Sequence, residues 1–242
     1  AFSGAKEKIG FDKNPCSFLF SVKVKHISEI QGKSLHEIEK NNALIASFTN
    51  DTAFKPKLYP TQQDYEVIKK YQSQNYICIA PSSVWFTKQY PKEKWIDLIN
   101  HLPVSFTVYL LGASSDEALC NAIAEQANRK NVYSLAGKLS MLQSAALQQN
   151  ALMNYVNDSA PMHFASAVNA PVTAVYCSTL PSFGYGPLSE KSAIVETKEH
   201  LDCRPCGIHG HKECPQKHFK CALTITTGQL LQPTFLSATH NF

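Results

Sequence analysis

The chain has 242 residues, a formal net charge of +4 and 44% hydrophobic residues, so it is long enough to bury a core as one large domain or two small ones. Its lysines and arginines are dispersed rather than concentrated in a basic stripe, and we therefore expect no nucleic-acid partner. No apolar run approaches the roughly 18–20 residues that cross a bilayer, and the first residues contain neither an initiator Met nor a signal peptide. We expect a protein of the reducing cytoplasm whose natural sequence begins before Ala1.

The first part of the chain is irregular. Two extended stretches, KIGFDK and FLFSVKVKH, precede one amphipathic helix, SLHEIEKNNALIASF. Because these are too few strands for a complete Rossmann-like domain, we predict that residues 1–60 are the trailing part of an N-terminal domain of that type. Residues 61–75 are predicted to be a linker that includes a helix, and residues 76–242 a second domain.

From Tyr76 onward, short apolar strands alternate with helices of about ten residues. The predicted strands are YICIA, VSFTVYLLG, NVYSLAG, ALMNYV and PVTAVY, and the helices between them include KEKWIDLINHL, residues 115–127 and LSMLQSAALQQ. This alternation indicates an α/β fold, a parallel sheet with crossover helices. Ligands of such sheets bind beyond the carboxyl ends of the strands, and three polar loops follow predicted strands here: PSSVWFTK, GASSDE and NDSAPMH.

The NDSAPMH turn places an acid, a hydroxyl and an imidazole at the start of a short apolar helix. Asp158 or Ser159 can cap free backbone N–H groups, and Pro161 is tolerated in a first helical turn. Capping does not explain His163, which lies one turn into the helix and points back toward its start. From this turn alone, capping and a ligand site are both open.

The loop PSSVWFTKQYP has the residue types that bind a phosphate. Ser82 and Ser83 directly follow a strand, and Lys88 stands just before the next helix, where hydroxyls, N–H groups and a point charge suit an anion. A solvated loop with an ordinary surface lysine is the alternative. In the GASSDE turn, Asp116 either complements a helix dipole or accepts hydrogen bonds from a ribose.

Four of the eight cysteines lie close together near the C-terminal end: Cys203, Cys206, Cys214 and Cys221. Their spacing, C-x2-C-x7-C-x6-C with interspersed histidines, fits a tetrahedral zinc site made of four cysteines or of three cysteines and a histidine. Two local disulfides and four free thiols are the alternatives, and the sequence leaves all three open. A reducing compartment makes disulfides the less expected use.

The order PSSxxxxKxYPxxxW, LLGxxxDE and NDSAPMHFASAVNAPVTAVY resembles the C-terminal half of glycosyltransferase family 9, the lipopolysaccharide heptosyltransferases. The resemblance covers Tyr76 to Leu188. It extends more loosely over residues 1–50, where KIGF and LHEIEKNNALI resemble the end of the family's N-terminal domain. It implies a GT-B fold in which residues 1–60 belong to the acceptor side and residues 76–242 bind the nucleotide sugar.

The resemblance also implies residue roles, because in similar proteins the pyrophosphate of the donor lies at the helix start. The residues expected to bind the nucleotide sugar are Ser82, Ser83, Asp116, Asp158, Ser159 and Ala160. Lys88 and His163 are expected to act in catalysis by stabilising charge on the departing nucleoside diphosphate. No cofactor is expected in catalysis, and a zinc ion in the cysteine loop is expected to be structural.

Two positions depart from the family pattern. Ala160 stands where the family has Gly, so its methyl group hinders the approach of a phosphate to the backbone. Cys177, in YCSTLP, stands at the Gly position of the family's YGPT. The family's general base is an Asp in an N-terminal strand–helix turn that has no counterpart here, and we expect it outside these 242 residues.

The resemblance implies a metal-independent transferase that moves a heptose or related sugar from a nucleoside-diphosphate donor to lipopolysaccharide or another cell-envelope glycan. ADP-heptose is the favoured donor. The expected location is the cytoplasm, at the cytoplasmic face of the inner membrane. The alternatives are a GT-B-like sugar-nucleotide epimerase, for which the NDSxPMH order is not expected, and a non-catalytic module that binds a sugar nucleotide or a nucleic acid.

Overall fold

The computed structural model describes residues 4–50 and 54–232. The chain divides into two compact units, Ala1–Lys55 with Pro181–Gly186 and Pro56–Leu180 with Pro187–Phe242. A short segment of the first unit therefore interrupts the second unit in the sequence. Within the described ranges, no helix combines the length and the apolarity that a membrane span requires.

The first unit contains two pairs of short strands and one short helix. Strand β1 (Ile9–Phe11) pairs in parallel with β2 (Val22–Val24), and β3 (Glu29–Ile30) pairs in antiparallel with β4 (Lys33–Ser34). Helix α1 (Glu37–Asn42) follows. The predicted strand at KIGFDK and the predicted helix are confirmed, although the helix is shorter than its apolar pattern indicates.

Helix α1 begins where the sequence supplies a cap. The His36 ring accepts a hydrogen bond from the backbone N–H of Ile38 at 3.2 Å, and the Glu39 carboxylate accepts one from the backbone N–H of His36 at 2.7 Å. The backbone N–H of Glu37 donates to the carbonyl oxygen of Gly184 at 2.9 Å. This last bond ties the short segment 181–186 to the first unit.

The second unit is built on a six-stranded sheet in which every pairing is parallel. Its strands are β5 (Tyr76–Ala80), β6 (Thr107–Leu110), β7 (Val132–Ser134), β8 (Asn154–Asn157), β9 (Val172–Tyr176) and β10 (Ser192–Glu196). Its helices are α2 (Gln62–Ile68), α3 (Lys92–His101), α4 (Glu117–Gln126), α5 (Met141–Gln149), α6 (Ala160–Ala167), α7 (Lys220–Leu223) and α8 (Thr227–Leu231). The strand order is β7-β6-β5-β8-β9-β10, so the winding direction reverses between β5 and β8. The predicted α/β class with a parallel sheet and crossover helices is confirmed. Strand β10 is not among the strands predicted from the sequence.

Apolar side chains pack on both faces of this sheet. One face packs on α3, α4 and α8 around Trp95, whose ring meets that of Tyr90 edge-on at 5.0 Å. The opposite face packs on α2, α5 and α6 around Tyr76 and Met162. Strands β5 and β9 are buried along their whole length, which explains why the sequence shows them as continuous apolar runs.

Helix α3 confirms the helix predicted at KEKWIDLINHL and buries one apolar face. Trp95, Leu98 and Ile99 are fully buried, and Leu102, just after the helix, is 2% exposed. Trp95 is the largest of these side chains, so it contributes more of the apolar area that α3 removes from water than any other residue of the helix.

We expect Trp95→Ala to lower the free energy of unfolding by about 3–5 kcal/mol, because the variant loses the transfer free energy of a buried indole and gains a cavity. Urea unfolding followed by circular dichroism measures the change. Met141→Ala is the control, since Met141 is 71% exposed and its truncation should change the free energy of unfolding by less than about 0.5 kcal/mol. Equal effects at the two positions would contradict this packing of α3.

Candidate functional site

The loops that follow β5, β8 and β9 meet at the carboxyl edge of the sheet. The side chain of Asn157, the last residue of β8, is fully buried and joins two of them. Its amide nitrogen donates to the carbonyl oxygens of Pro81 at 2.8 Å and Ser82 at 3.3 Å, and its amide oxygen accepts from the backbone N–H of Tyr90 at 2.9 Å. Both ends of the loop after β5 are therefore held against β8.

An ion pair connects the same two loops. The Lys88 ammonium nitrogen lies 2.7 Å from Oδ2 of Asp158, and the two side chains are only 16% and 9% exposed. The Thr179 hydroxyl, from the loop after β9, donates to the same carboxylate oxygen at 2.7 Å. Lys88 is thus not an ordinary surface lysine, although Val84 and Phe86 of the same loop are exposed.

Asp158 does not cap helix α6. Ser159 occupies the N-cap position of α6, but no described side chain makes a capping hydrogen bond there. The Ser159 hydroxyl instead donates to the carbonyl oxygen of Asn157 at 3.4 Å, and the Asp158 carboxylate is held by Lys88 and Thr179. Capping therefore does not account for this turn, and the positive end of the α6 dipole faces the carboxyl edge without a side-chain cap.

The other predicted residues of this turn and of the serine pair lie at the same edge. The Ser83 hydroxyl donates to the carbonyl oxygen of Asp158 at 3.5 Å, and Ser82 precedes it in a half-buried position. Ala160 is the exposed first residue of α6, and His163 is half-buried within the first turns of the helix. The structure therefore gathers seven of the eight predicted residues around two loops and one helix start.

Asp116 lies on a different loop, after β6. Its Oδ2 accepts a hydrogen bond from the backbone N–H of Ala113 at 2.8 Å, at the turn that begins α4. Asp116 thus stands at the start of α4, where the alternative of complementing the helix dipole would place it. Binding of a ribose by Asp116 stays a prediction.

Residues 201–221, called the Cys-rich segment below, support the loop after β9. The Arg204 guanidinium group donates to the carbonyl oxygens of Tyr176 at 3.2 Å, Cys177 at 2.7 Å and Thr179 at 2.9 Å, and to the carboxylate of Glu196 at 2.6 Å. Because Thr179 binds the Asp158 carboxylate, Arg204 indirectly holds the partner of Asp158 in place through the loop after β9.

The four clustered cysteines are free thiols. Burial is the main cause that raises the pKa of Cys221 to about 11, and it also raises the pKa of Cys206; charges on the neighbouring cysteines add to both effects. The Cys203 sulfur lies 3.7 Å from Nε2 of His218. In the described part of the chain, no three His, Cys, Asp or Glu side chains are arranged to hold a metal ion.

Asn157, Thr179 and Arg204 shape the site without having been assigned to it from the sequence. Asn157 and Thr179 are buried polar residues at the ends of apolar strands, where a polar side chain needs a partner. That requirement is a signal in the sequence, because NYVN and YCST each end an apolar run with a residue that cannot be left without hydrogen bonds. Arg204 gives no such signal, since three of its four partners are backbone carbonyl groups.

Comparison with known proteins places this geometry in a family. Residues 1–219 match the family described as glycosyltransferase family 9 (heptosyltransferase). Lipooligosaccharide heptosyltransferase 2 of Haemophilus influenzae is 30% identical over 152 residues, which are 58% of this chain and 43% of that protein. The chain therefore spans less than half the length of this relative.

Two solved structures share the fold. The structure of E. coli ADP-heptose lps heptosyltransferase II has a TM-score of 0.68 at 21% identity, with 84% of this chain and 63% of that chain covered. The iron-containing dodecameric glycosyltransferase TibC from enterotoxigenic E. coli has a TM-score of 0.59 at 16% identity, with 96% of this chain and 64% of that chain covered. At these identities the two structures show the arrangement of strands and helices alone.

The buried ion pair predicts a specific pattern of stabilities. Lys88→Met should lower the free energy of unfolding by about 1–3 kcal/mol, because Asp158 then keeps a buried charge without its cation. Lys88→Met/Asp158→Asn should lie closer to the wild type, because it removes the unpaired charge as well. Urea unfolding at neutral pH measures the wild type, the single variants Lys88→Met and Asp158→Asn, and the double variant. A double variant that loses the sum of the two single losses would show that the pair is not coupled.

Proposed function

We propose that this chain, which belongs to glycosyltransferase family 9, binds a nucleoside-diphosphate sugar at the carboxyl edge of its six-stranded sheet and serves the transfer of heptose from ADP-heptose to lipopolysaccharide or another cell-envelope glycan. The observation that carries the proposal is the contact between Lys88 and Asp158. It joins two loops that each match the pattern of the family, and it does so at the edge where parallel sheets bind ligands.

The geometry of the site supports binding of a diphosphate. The Lys88 ammonium group has three N–H donors, of which Asp158 takes one, so the remaining donors can reach phosphate oxygens. Because Asp158 neutralises Lys88, further attraction for an anion comes from the start of α6, where the helix dipole is positive and no side-chain cap is formed. The hydroxyls of Ser82 and Ser83 face the same anion from the loop after β5.

The chemistry that this site would support is displacement at the anomeric carbon of the sugar. The acceptor hydroxyl oxygen forms the new bond to that carbon, and the bond from the carbon to the β-phosphate oxygen breaks with its electron pair on the phosphate. Lys88 and His163 would stabilise the negative charge that grows on this leaving group. The proton of the acceptor hydroxyl goes to a general base, a role that we assign to none of the described residues.

The acceptor and the location follow from the same proposal. A lipopolysaccharide acceptor is a glycolipid, so the reaction would take place at the cytoplasmic face of the inner membrane. The net charge of +4 favours contact of the protein with anionic headgroups at that face. Residues 1–60 would belong to the acceptor side.

We expect the chain to bind ADP, and to bind it more tightly than UDP, GDP or a single-stranded oligonucleotide. Lys88→Met/Asp158→Asn and His163→Ala should each lower the affinity for ADP about tenfold, since each removes a group assigned to the diphosphate. Isothermal titration calorimetry measures the affinities, and Met141→Ala, on the surface of α5, is the matched control.

The contradicting outcomes are distinct. ADP affinity that is unchanged in both variants would remove Lys88 and His163 from the site. Tighter binding of an oligonucleotide than of ADP would favour the nucleic-acid module. Transfer is measured separately, as the ADP that the whole protein releases from ADP-heptose when lipopolysaccharide lacking heptose is added. Tight ADP binding without this release would indicate a binding module without transferase activity.

We also propose that the Cys-rich segment binds a structural metal ion. The support is chemical: four cysteines and His218 lie near enough for the thiols to affect one another's pKa, and thiolate ligands suit zinc and iron. The segment as described would have to rearrange to bring three or four ligands together, because no such ligand set is present in it.

Elemental analysis of the purified protein tests this. We expect about one zinc or iron ion per chain. A variant that carries both Cys203→Ser and Cys206→Ser should lose this ion. Cys16→Ser is the control, because Cys16 is exposed and lies in the other unit. Less than about 0.2 metal ion per chain, with four reactive thiols in denaturant, would leave a segment of reduced cysteines.

A further inference from the structure

Lys88 stands at the end of a single 3₁₀ turn, Phe86–Lys88. A turn of three residues has too few hydrogen bonds to hold a long side chain in one place by itself. The position of the Lys88 ammonium group therefore depends on what the turn packs against. Apart from β8 and the loop after β9, the turn packs against the Cys-rich segment.

Thr87 links this turn to both of its neighbours. It is 1% exposed, and its hydroxyl oxygen accepts hydrogen bonds from the backbone N–H of His211 at 2.8 Å and from the Ser178 hydroxyl at 3.0 Å. The backbone N–H of Thr87 donates in return to the carbonyl oxygen of His211 at 3.1 Å. A hydroxyl oxygen has two lone pairs, so both are engaged. The Lys88 turn, the loop after β9 and the Cys-rich segment meet at this one buried oxygen.

Gly210 allows the Cys-rich segment to approach the Lys88 turn closely. Its φ is +82°, and a methyl group at this position would lie 2.9 Å from Oγ1 of Thr87 and 3.1 Å from Cγ of Lys88. Gly207 has a similar φ of +74°, but a methyl group there would meet only the ring of His211, at 3.9 Å. A substitution at Gly207 therefore strains the backbone without contacting Lys88, whereas a substitution at Gly210 does both.

Phe219 makes a second contact from the Cys-rich segment to the turn. Its ring lies against that of Phe86, with the ring centroids 5.0 Å apart. The φ of Phe219 is +46°, in the left-handed region that is unfavourable for a residue with a side chain. A strained residue persists where the surrounding packing imposes it, and Phe219 packs both on Phe86 of the Lys88 turn and on the apolar core of the sheet.

We propose that Thr87 is a positioning residue through which the Cys-rich segment holds the Lys88 ammonium group in place for the diphosphate of the sugar donor. The inference rests on the proposed function, because it assigns Lys88 to the phosphates. Thr87 acts through Lys88 and does not touch the donor, since its hydroxyl oxygen is buried and engaged by His211 and Ser178. The segment is itself anchored, because the backbone N–H of Cys206 donates to the carbonyl oxygen of Ser178 at 2.8 Å.

ADP binding measured by calorimetry tests the role of the hydroxyl. Thr87→Val removes the hydroxyl and keeps the shape of the side chain, and we expect an affinity for ADP about tenfold lower. Thr87→Ser keeps the hydroxyl, and its affinity should stay within about threefold of the wild type. In the Lys88→Met/Asp158→Asn background, Thr87→Val should lower the affinity for ADP no further, because no ammonium group is left to position.

The glycine pair tests the contact with the segment and keeps the inference testable if Thr87→Val does not fold. Gly210→Ala should weaken ADP binding several-fold, because its methyl group displaces Thr87 and Lys88. Gly207→Ala introduces the same kind of backbone strain three residues away, and it should change the affinity less than about twofold. Thermal unfolding by circular dichroism confirms that each variant is folded.

Each contradicting result has its own meaning. Equal losses from Thr87→Val with and without Lys88 would overturn the inference, because the effect would not pass through Lys88. Equal losses from Gly210→Ala and Gly207→Ala would overturn it as well. If ADP binding depends on Lys88 but Thr87→Val binds ADP like the wild type, the inference fails and the proposed function stands. A wild-type chain that does not bind ADP overturns both.

Discussion

The buried carboxylate of Asp158 is the constraint on which the rest of the site depends. A carboxylate withdrawn from water is stable only where cations and hydrogen-bond donors surround it. The chain supplies Lys88 from the loop after β5 and Thr179 from the loop after β9, each 2.7 Å from the same oxygen atom. The loops after β5, β8 and β9 are thus fixed relative to one another by their contacts with one carboxylate. Arg204 and Thr87 stabilise the same loops through hydrogen bonds that do not involve Asp158.

Much of the fold follows from periodicity. The continuous apolar runs of β5 and β9 indicate strands buried on both faces, and the spacing of Trp95, Leu98 and Ile99 indicates one apolar face of a helix. The edge that carries the site follows too, because every loop after a strand of a parallel sheet lies at the same edge. Strand β10 could not be recognised in this way, since most of its residues are only partly buried and charged residues flank it.

The pairing of the site residues is a different matter. Spacing along the sequence shows that Lys88 and Asp158 belong to the same edge, but it does not show that they bind each other, because that depends on how the loops after β5 and β8 are tied together by Asn157. The capping interpretation of the NDSAPMH turn was open for the same reason: one carboxylate can serve a helix start or a lysine from another loop. The arrangement of the cysteines likewise depends on loop geometry that the spacing of their sulfurs does not determine.

The strand order also bears on how the protein is made. Strand β5 pairs on one side with β6, its neighbour in the sequence, and on the other with β8, so Asn157 reaches Pro81 from 76 positions further along the chain. As the polypeptide leaves the ribosome from its N-terminus, β5, β6 and β7 are available to one another well before β8 emerges. Until then, one side of β5 is an unpaired edge made of YICIA, an apolar segment with high β-propensity and no charge. Synthesis that stalls within this interval would expose that edge to other chains, so the nascent protein has most need of a chaperone before the loop after β8 exists.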